Sequence, residues 1–153
     1  MPLLPPNIVP QDPLSTAASG MSAQRIRMNM LANNLANINT TRDAAGNFKT
    51  YLRKEVLLRT VAIDPGKPDE QRVAVHAIVN SKNSTRKIFE PEHPDADQFG
   101  YRLAPAVSIP LEMARMIEAT RAYEANLNAL YVSRGALERT TDILTPSRPD
   151  SAI

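Results

Sequence analysis

The chain has no cysteine and no tryptophan. Without cysteine there is no disulfide framework, no thiolate nucleophile and no cysteine-ligated zinc site, and the redox state of the compartment places no demand on the fold. Glycine occurs five times, and three phenylalanines and four tyrosines are the only aromatics. Aromatic rings supply much of the buried area of an ordinary core, so the core is expected to be thin. His76 and His93 are the only histidines left for metal or general-base work. No apolar run approaches the roughly 20 residues that span a bilayer, so membrane insertion is not expected, and the N-terminus lacks the basic start and apolar stretch of a secretory signal.

What remains is 153 residues, 42% apolar and 22% charged, with 13 prolines. That length suits one modest domain, or one core with arms. The formal charge of +2 hides a division. Residues 1–41 carry two basic and one acidic side chain, residues 42–90 ten and six, and residues 91–153 six and nine. A basic middle and an acidic last third can attract copies of one chain to each other.

Five prolines crowd residues 1–13 and predict an extended lead. Asp12-Pro13 reads as a cap followed by a first helical residue. From there Leu14, Ala17, Met21, Gln24, Met28, Leu31, Leu35 and Ile38 alternate by three and four, a heptad seam over a helix from about Leu14 to Asn39. Asn29, Asn33 and Asn37 form a stripe on that helix, with Asn34 and Asn39 beside it. Asparagine is a poor helix former, so the stripe is either a fraying end or a set of amides that bond between packed helices and fix their register.

The period then changes. Residues 56–62 and 73–79 are β-branched stretches around the breaker Asp64-Pro65-Gly66-Lys67-Pro68-Asp69, and shorter strands fit 86–90 and 101–103. Ser108-Ile109-Pro110 opens a second long helix. Its seam is Met113, Met116, Thr120, Tyr123, Leu127, Leu130, Arg134, Leu137, Thr141 and Leu144, with Pro146 ending it. Glu112, Arg115, Glu118, Arg121 and Glu124 alternate in sign every three residues, the pattern of a solvated face. The expected fold is mainly α with a small β-rich insert, the long N-terminal and C-terminal helices packing as an antiparallel coiled-coil-like pair. Its parts are a lead (1–13), a first helix (14–41), an insert (42–107), a second helix (108–145) and a tail (146–153). Two helices cannot enclose a core alone, and the uncovered strip of Met, Leu and Ile asks for a partner.

Residues 19–41, SGMSAQRIRMNMLANNLANINTT, and above all ANNLANINT from Ala32 to Thr40, resemble the N-terminal signature of the bacterial flagellar rod, hook and hook-associated axial proteins. EPEHPDA at 90–96, Gly100-Tyr101 and EATRAYEANLNAL at 118–130 are similar to the proximal-rod branch of that family. The likeness covers about Leu14 to Leu144. Ser108 stands where family members commonly have aspartate, which keeps a capping side chain at the helix start. The resemblance implies a structural, non-enzymatic subunit of the basal-body rod that spans the periplasm. It implies assembly through the terminal helices with copies of itself and other rod proteins, around an export channel, to carry torque from motor to hook. It also implies export by the flagellar type III apparatus without a cleaved signal peptide, and no cofactor or small-molecule substrate. The expected assembly interface is Met21, Met28, Leu31, Asn33, Asn34, Leu35, Asn37 and Ile38 on the first helix. On the second it is Met113, Met116, Tyr123, Asn126, Leu127, Leu130 and Leu137.

Rival readings are weaker. Another rod or hook component of the same family is the nearest alternative, although hook proteins carry larger inserts. Glu92-His93-Pro94-Asp95 offers acid, imidazole and acid, but neighbours in a proline-rigid loop rarely converge on one point, and no nucleophile accompanies them. His76 reads as a half-buried sheet residue, since zinc sites want three or four ligands. Lys49, Arg53, Lys54 and Arg59, with Lys82, Arg86 and Lys87 and the rings of Tyr51 and Phe89, sketch a nucleic-acid surface. Acidic residues interrupt it, and binding of nucleic acid is not expected.

Overall fold

The computed structural model describes residues 13–64 and 67–144. The order of elements is α1 (Pro13–Ala36), β1 (Lys54–Asp64), β2 (Lys67–Asn80), β3 (Thr85–Phe89), β4 (Tyr101–Pro105) and α2 (Ile109–Leu144). The expected cap Asp12, the rest of the lead and the tail lie outside the described residues. Pro13, assigned to the lead, is the first residue of α1.

α1 stops three residues short of the expected Asn39 because its asparagines turn the chain. The backbone N–H and side-chain amide of Asn37 both donate to the Asn33 carbonyl, at 3.1 and 2.9 Å, and Thr40 Oγ1 donates to Asn37 Oδ1 at 3.1 Å. Asparagine amides compete for backbone groups in this way wherever a helix is ready to end. At the other helix, the Glu112 N–H donates to the Ser108 carbonyl at 2.9 Å, which makes Ser108 the capping position of α2.

β1 and β2 form one antiparallel hairpin with only Pro65-Gly66 between them, so the expected six-residue breaker is mostly strand. Leu57 faces Ala77 and Leu58 faces Val75, leaving His76 as the extra residue of a bulge. His76 is exposed there, not half-buried. β3 and β4 make a second two-stranded antiparallel sheet, pairing Phe89 with Tyr101 and Thr85 with Pro105.

The helices run antiparallel: Gly20 meets Asn126, Met28 meets Thr120, and Asn34 meets Glu112. Nevertheless the mainly α, coiled-coil-like expectation is wrong. Strands of 11 and 14 residues make the middle a substantial β unit, and it is not a bystander. α1 lies between α2 and the hairpin, with Thr16 Oγ1 donating to the Gln71 carbonyl at 2.9 Å and Val73 N–H donating to Ser19 Oγ at 3.1 Å. The helix contact is shared between seam residues, Ala17 and Leu31 among them, and residues the heptads do not supply. The buried positions of α1 are Ala17, Gly20, Ala23, Leu31 and Asn34. On α2 they are Glu112 and Ala119. Small and polar side chains bring the backbones close, where a coiled coil would interdigitate Met and Leu.

The apolar core among the described residues is six side chains, Ala17, Ala23, Leu31, Ala104, Val107 and Ala119. Four are alanines, so hydrophobic burial is slight and polar bonding must fix the arrangement.

Candidate assembly site

Asn34 and Glu112 are the largest fully buried polar side chains. Asn34 leaves α1 on its hidden side and uses both ends of its amide. Its Nδ2 donates to the Lys54 carbonyl at 2.9 Å and to Glu112 Oε2 at 3.0 Å, while its Oδ1 accepts from Lys54 N–H at 3.0 Å and from the Tyr51 hydroxyl at 2.9 Å. Glu112, in the first turn of α2, receives Arg53 Nε at 2.8 Å and an Arg115 guanidinium N–H at 3.2 Å on Oε1. One amide and one carboxylate thus tie α1, α2 and the start of β1 together. Burial works against the charge on Arg53, but its bonds to Glu55 and Glu112 outweigh it and hold the guanidinium above its ordinary pKa. Burial, and then the nearby Glu112 charge, push the Tyr51 phenol up as well, so it stays a donor.

This node corrects two expectations. Glu112 is not part of a solvated face; it is fully buried. Arg53, drawn into a nucleic-acid patch, is paired inside the fold, and the Lys54 ammonium sits 5.8 Å from the centre of the Tyr51 ring. Charge alternation could not show this, because a buried glutamate and an exposed one read alike.

A second clamp joins two motifs. Thr41 Oγ1 donates to Asp95 Oδ2 at 2.9 Å, and Arg42 pairs with the other carboxylate oxygen. The Asp95 N–H donates to His93 Nδ1 at 3.1 Å. The end of the asparagine-rich segment is therefore fastened to the EPEHPDA loop, and His93 serves as a loop acceptor. The Thr41 bond, opposed by burial and reinforced by Arg42, holds the Asp95 carboxyl below the usual carboxylate range.

Of the residues expected at an assembly interface, Leu31 and Asn34 are buried within the chain. Met21, Met28, Leu35, Asn37, Ile38, Met116, Tyr123, Asn126, Leu127 and Leu130 are half-buried, and Asn33, Met113 and Leu137 are exposed. Asn126 packs over Gly20: its amide bonds its own Ala122 carbonyl at 2.8 Å and would lie 2.8 Å from a Cβ placed on Gly20. Outside those residues, Ile117 is 54% exposed beside Met113 at 53%, and Tyr131 and Val132 are also exposed on α2. Among the described residues no group of three His, Cys, Asp or Glu could hold a metal ion, and no helix is long and apolar enough to cross a membrane.

The family model for flagella basal body rod protein matches residues 14–42, and that for the flagellar basal body rod FlgEFG protein C-terminal matches residues 100–143. Flagellar basal-body rod protein FlgC of Aquifex aeolicus is 37% identical over 127 residues, covering 83% of this chain and 91% of that protein. FlgC of Bacillus subtilis is 31% identical over 142 residues, 85% and 95% of the two chains. This chain belongs to the FlgC family of flagellar basal-body rod proteins. FlgC of Agrobacterium fabrum is 33% identical and aligns over 90% of this chain and 99% of its own length. The two matched family segments contain the two partners of the buried node, Asn34 in the first and Glu112 in the second. A FlgC-family chain is a structural component of the flagellar basal-body rod.

Proposed function

We propose that this chain assembles with copies of itself and with other rod proteins through the outward faces of α1 and α2, forming a periplasm-spanning shaft that carries torque from motor to hook and lines the export channel. The observation that carries the reading is the mismatch between helix and core. α2 is 36 residues long, yet Glu112 and Ala119 are its only buried members among the described side chains, while Met113, Ile117 and Tyr131, aligned on one side of the helix, and Val132 beside them are exposed. A single chain leaves such a strip unsatisfied; a neighbour in a polymer covers it. Met28, Leu35, Leu127 and Leu130, half-buried at the edge of the helix pair, would complete the contact.

The proposal is non-enzymatic and needs no cofactor, substrate, nucleic acid or bilayer. The residues that could be drawn as acid and base, His93 and Asp95, are engaged in holding their loop. Export would use the flagellar type III apparatus without a cleaved signal. A density map of isolated basal bodies tests the reading: the chain should sit in the rod with α1 and α2 toward the axis. Density for it outside the rod, or helices facing away from the axis, would refute it.

A further inference from the structure

The exposed strip of Met113, Ile117 and Tyr131 on α2 is interrupted by one charge. Glu124 stands seven residues from Ile117 and seven from Tyr131, about two turns in each direction, so it lies on their side of the helix. It is exposed, and its carboxylate makes no ion pair or hydrogen bond among the described residues. A neighbour that covers the strip covers this carboxylate as well, and a carboxylate taken out of water needs a cation opposite it. The covering surface must therefore combine apolar side chains with positive charge that is not already paired.

An open cavity of about 280 Å³ between α1 and β1 has that composition. Met30, Val56 and Leu57 supply apolar wall, and Arg27, Arg53, Lys54 and Arg115 set four cations against one lining carboxylate, Glu55. Arg53 is held by Glu55 and Glu112, and Arg115 shares Glu112. Arg27 and Lys54 are left over. Both are exposed and neither pairs with a carboxylate among the described residues, Lys54 having only the Tyr51 ring. α1 contains no acidic residue to neutralise them, and Ala77, Ile78 and Val79, which face this part of β1 from β2, carry no charge. We propose that this cavity receives the Glu124 carboxylate, flanked by Ile117 and Tyr131, from a second copy of this chain lying alongside. The proposal rests on the rod reading above, since a neighbour must be present.

The two halves of the contact cannot meet within one chain. Glu124 is nine residues from Arg115, about two and a half turns, which puts them on opposite sides of α2. They are nonetheless close in level. Thr120 meets Met28, the neighbour of Arg27, and Glu124 lies four residues beyond Thr120, about 6 Å along the helix. Copies joined in this way stand side by side, the α2 of one against the α1 and β1 of the next, and two different patches meet, as they do when copies are related by rotation about a shared axis. Charge selects this cavity over the one beside Arg25, which lines a space of about 200 Å³ as its single charged residue.

Charge reversal with rescue tests the contact in full-length chains, read as the amount of chain in basal bodies isolated from cells. Arg27→Glu and Glu124→Arg should each melt like the native chain in isolation and each lower incorporation about tenfold, because like charges then face each other. The two together in one chain should restore it to within about twofold of the native level. The natural absence of cysteine gives a second readout. Cells carry one version with Glu124→Cys and another with Arg27→Cys, and their oxidised basal bodies should contain a disulfide-linked dimer. Glu124→Cys with Arg25→Cys should give none above background. A swap that leaves incorporation at the level of the single variants, or a rod holding both cysteine versions without the dimer, overturns the docking and leaves the rod reading intact; the cavity then serves an acid on another rod protein. A dimer through Arg25→Cys in place of Arg27→Cys overturns it in favour of the other space. Absence of the native chain from basal bodies refutes the rod reading and the docking with it.

Discussion

Asn34 and Glu112, 78 residues apart in sequence and both fully buried, share a 3.0 Å hydrogen bond that sets where α2 begins against α1. With so little apolar core, that bond and its neighbours carry the register of the two helices. Replacing Asn34 by alanine strands the Lys54 N–H and carbonyl and one oxygen of Glu112. The expected loss is about 2–4 kcal/mol, read as a lower urea midpoint with unchanged slope. Glu112→Ala leaves Arg53 buried with only Glu55 to pair it and should cost about 3–5 kcal/mol.

Arg115→Ala is the contrasting case. Arg115 reaches the same Glu112 oxygen as Arg53, but its side chain is 37% exposed and Arg53 remains at 2.8 Å. Its loss should cost at most about 1 kcal/mol, measured in the same urea series. A loss equal to that of Glu112→Ala would show that the carboxylate depends on both cations.

Gly20→Ala sets two effects against each other. Alanine is favoured over glycine inside a helix by about 1 kcal/mol, but its Cβ would meet the Asn126 amide at 2.8 Å. Gly20→Ala should therefore be near neutral, and Gly20→Ala with Asn126→Ala more stable than the native chain. Gly20→Leu cannot be relieved by moving one amide and should separate the helices, which thermal melts of the three variants would show.

Acid should release the clamp between Thr41 and Asp95. The Asp95 carboxyl titrates below the ordinary Asp value because of the Thr41 hydroxyl and then Arg42. Its contribution is present above that ordinary value, about pH 4, and is lost as pH falls through the lowered one. Amide exchange in residues 90–97 should accelerate below pH 4 before α1 opens, and Thr41→Val should weaken the pH dependence.

Much of the architecture is legible in the residues. The switch from a 3.5-residue to a two-residue period locates the strands, because β-branched runs bounded by Pro and Gly have few other solutions. The helix contact is harder to read. Apolar periodicity finds the buried Ala17 and Leu31, but it also selects Met21, Leu35, Met113 and Leu127, whereas burial there falls one position away at Gly20, Asn34 and Glu112, with Asn126 against Gly20. A seam made of glycine, asparagine and glutamate has no hydrophobic signal, and its partners are supplied by a segment 20 residues downstream of Asn34. Arg53 reads as a surface cation for the same reason, since its partner Glu112 carries no signal of burial.

The outward face of α2 is proposed above as a packing surface of the rod. Met113 and Ile117, one turn apart and each more than half exposed, can be changed with little effect on the isolated fold. The decisive measurement is the amount of Met113→Glu/Ile117→Glu chain in basal bodies fractionated from cells, alongside its thermal melt in isolation. A buried unpaired carboxylate costs several kcal/mol. The expected variant therefore melts like the native chain, is exported, and is missing from the rod. Incorporation at the native level would contradict it.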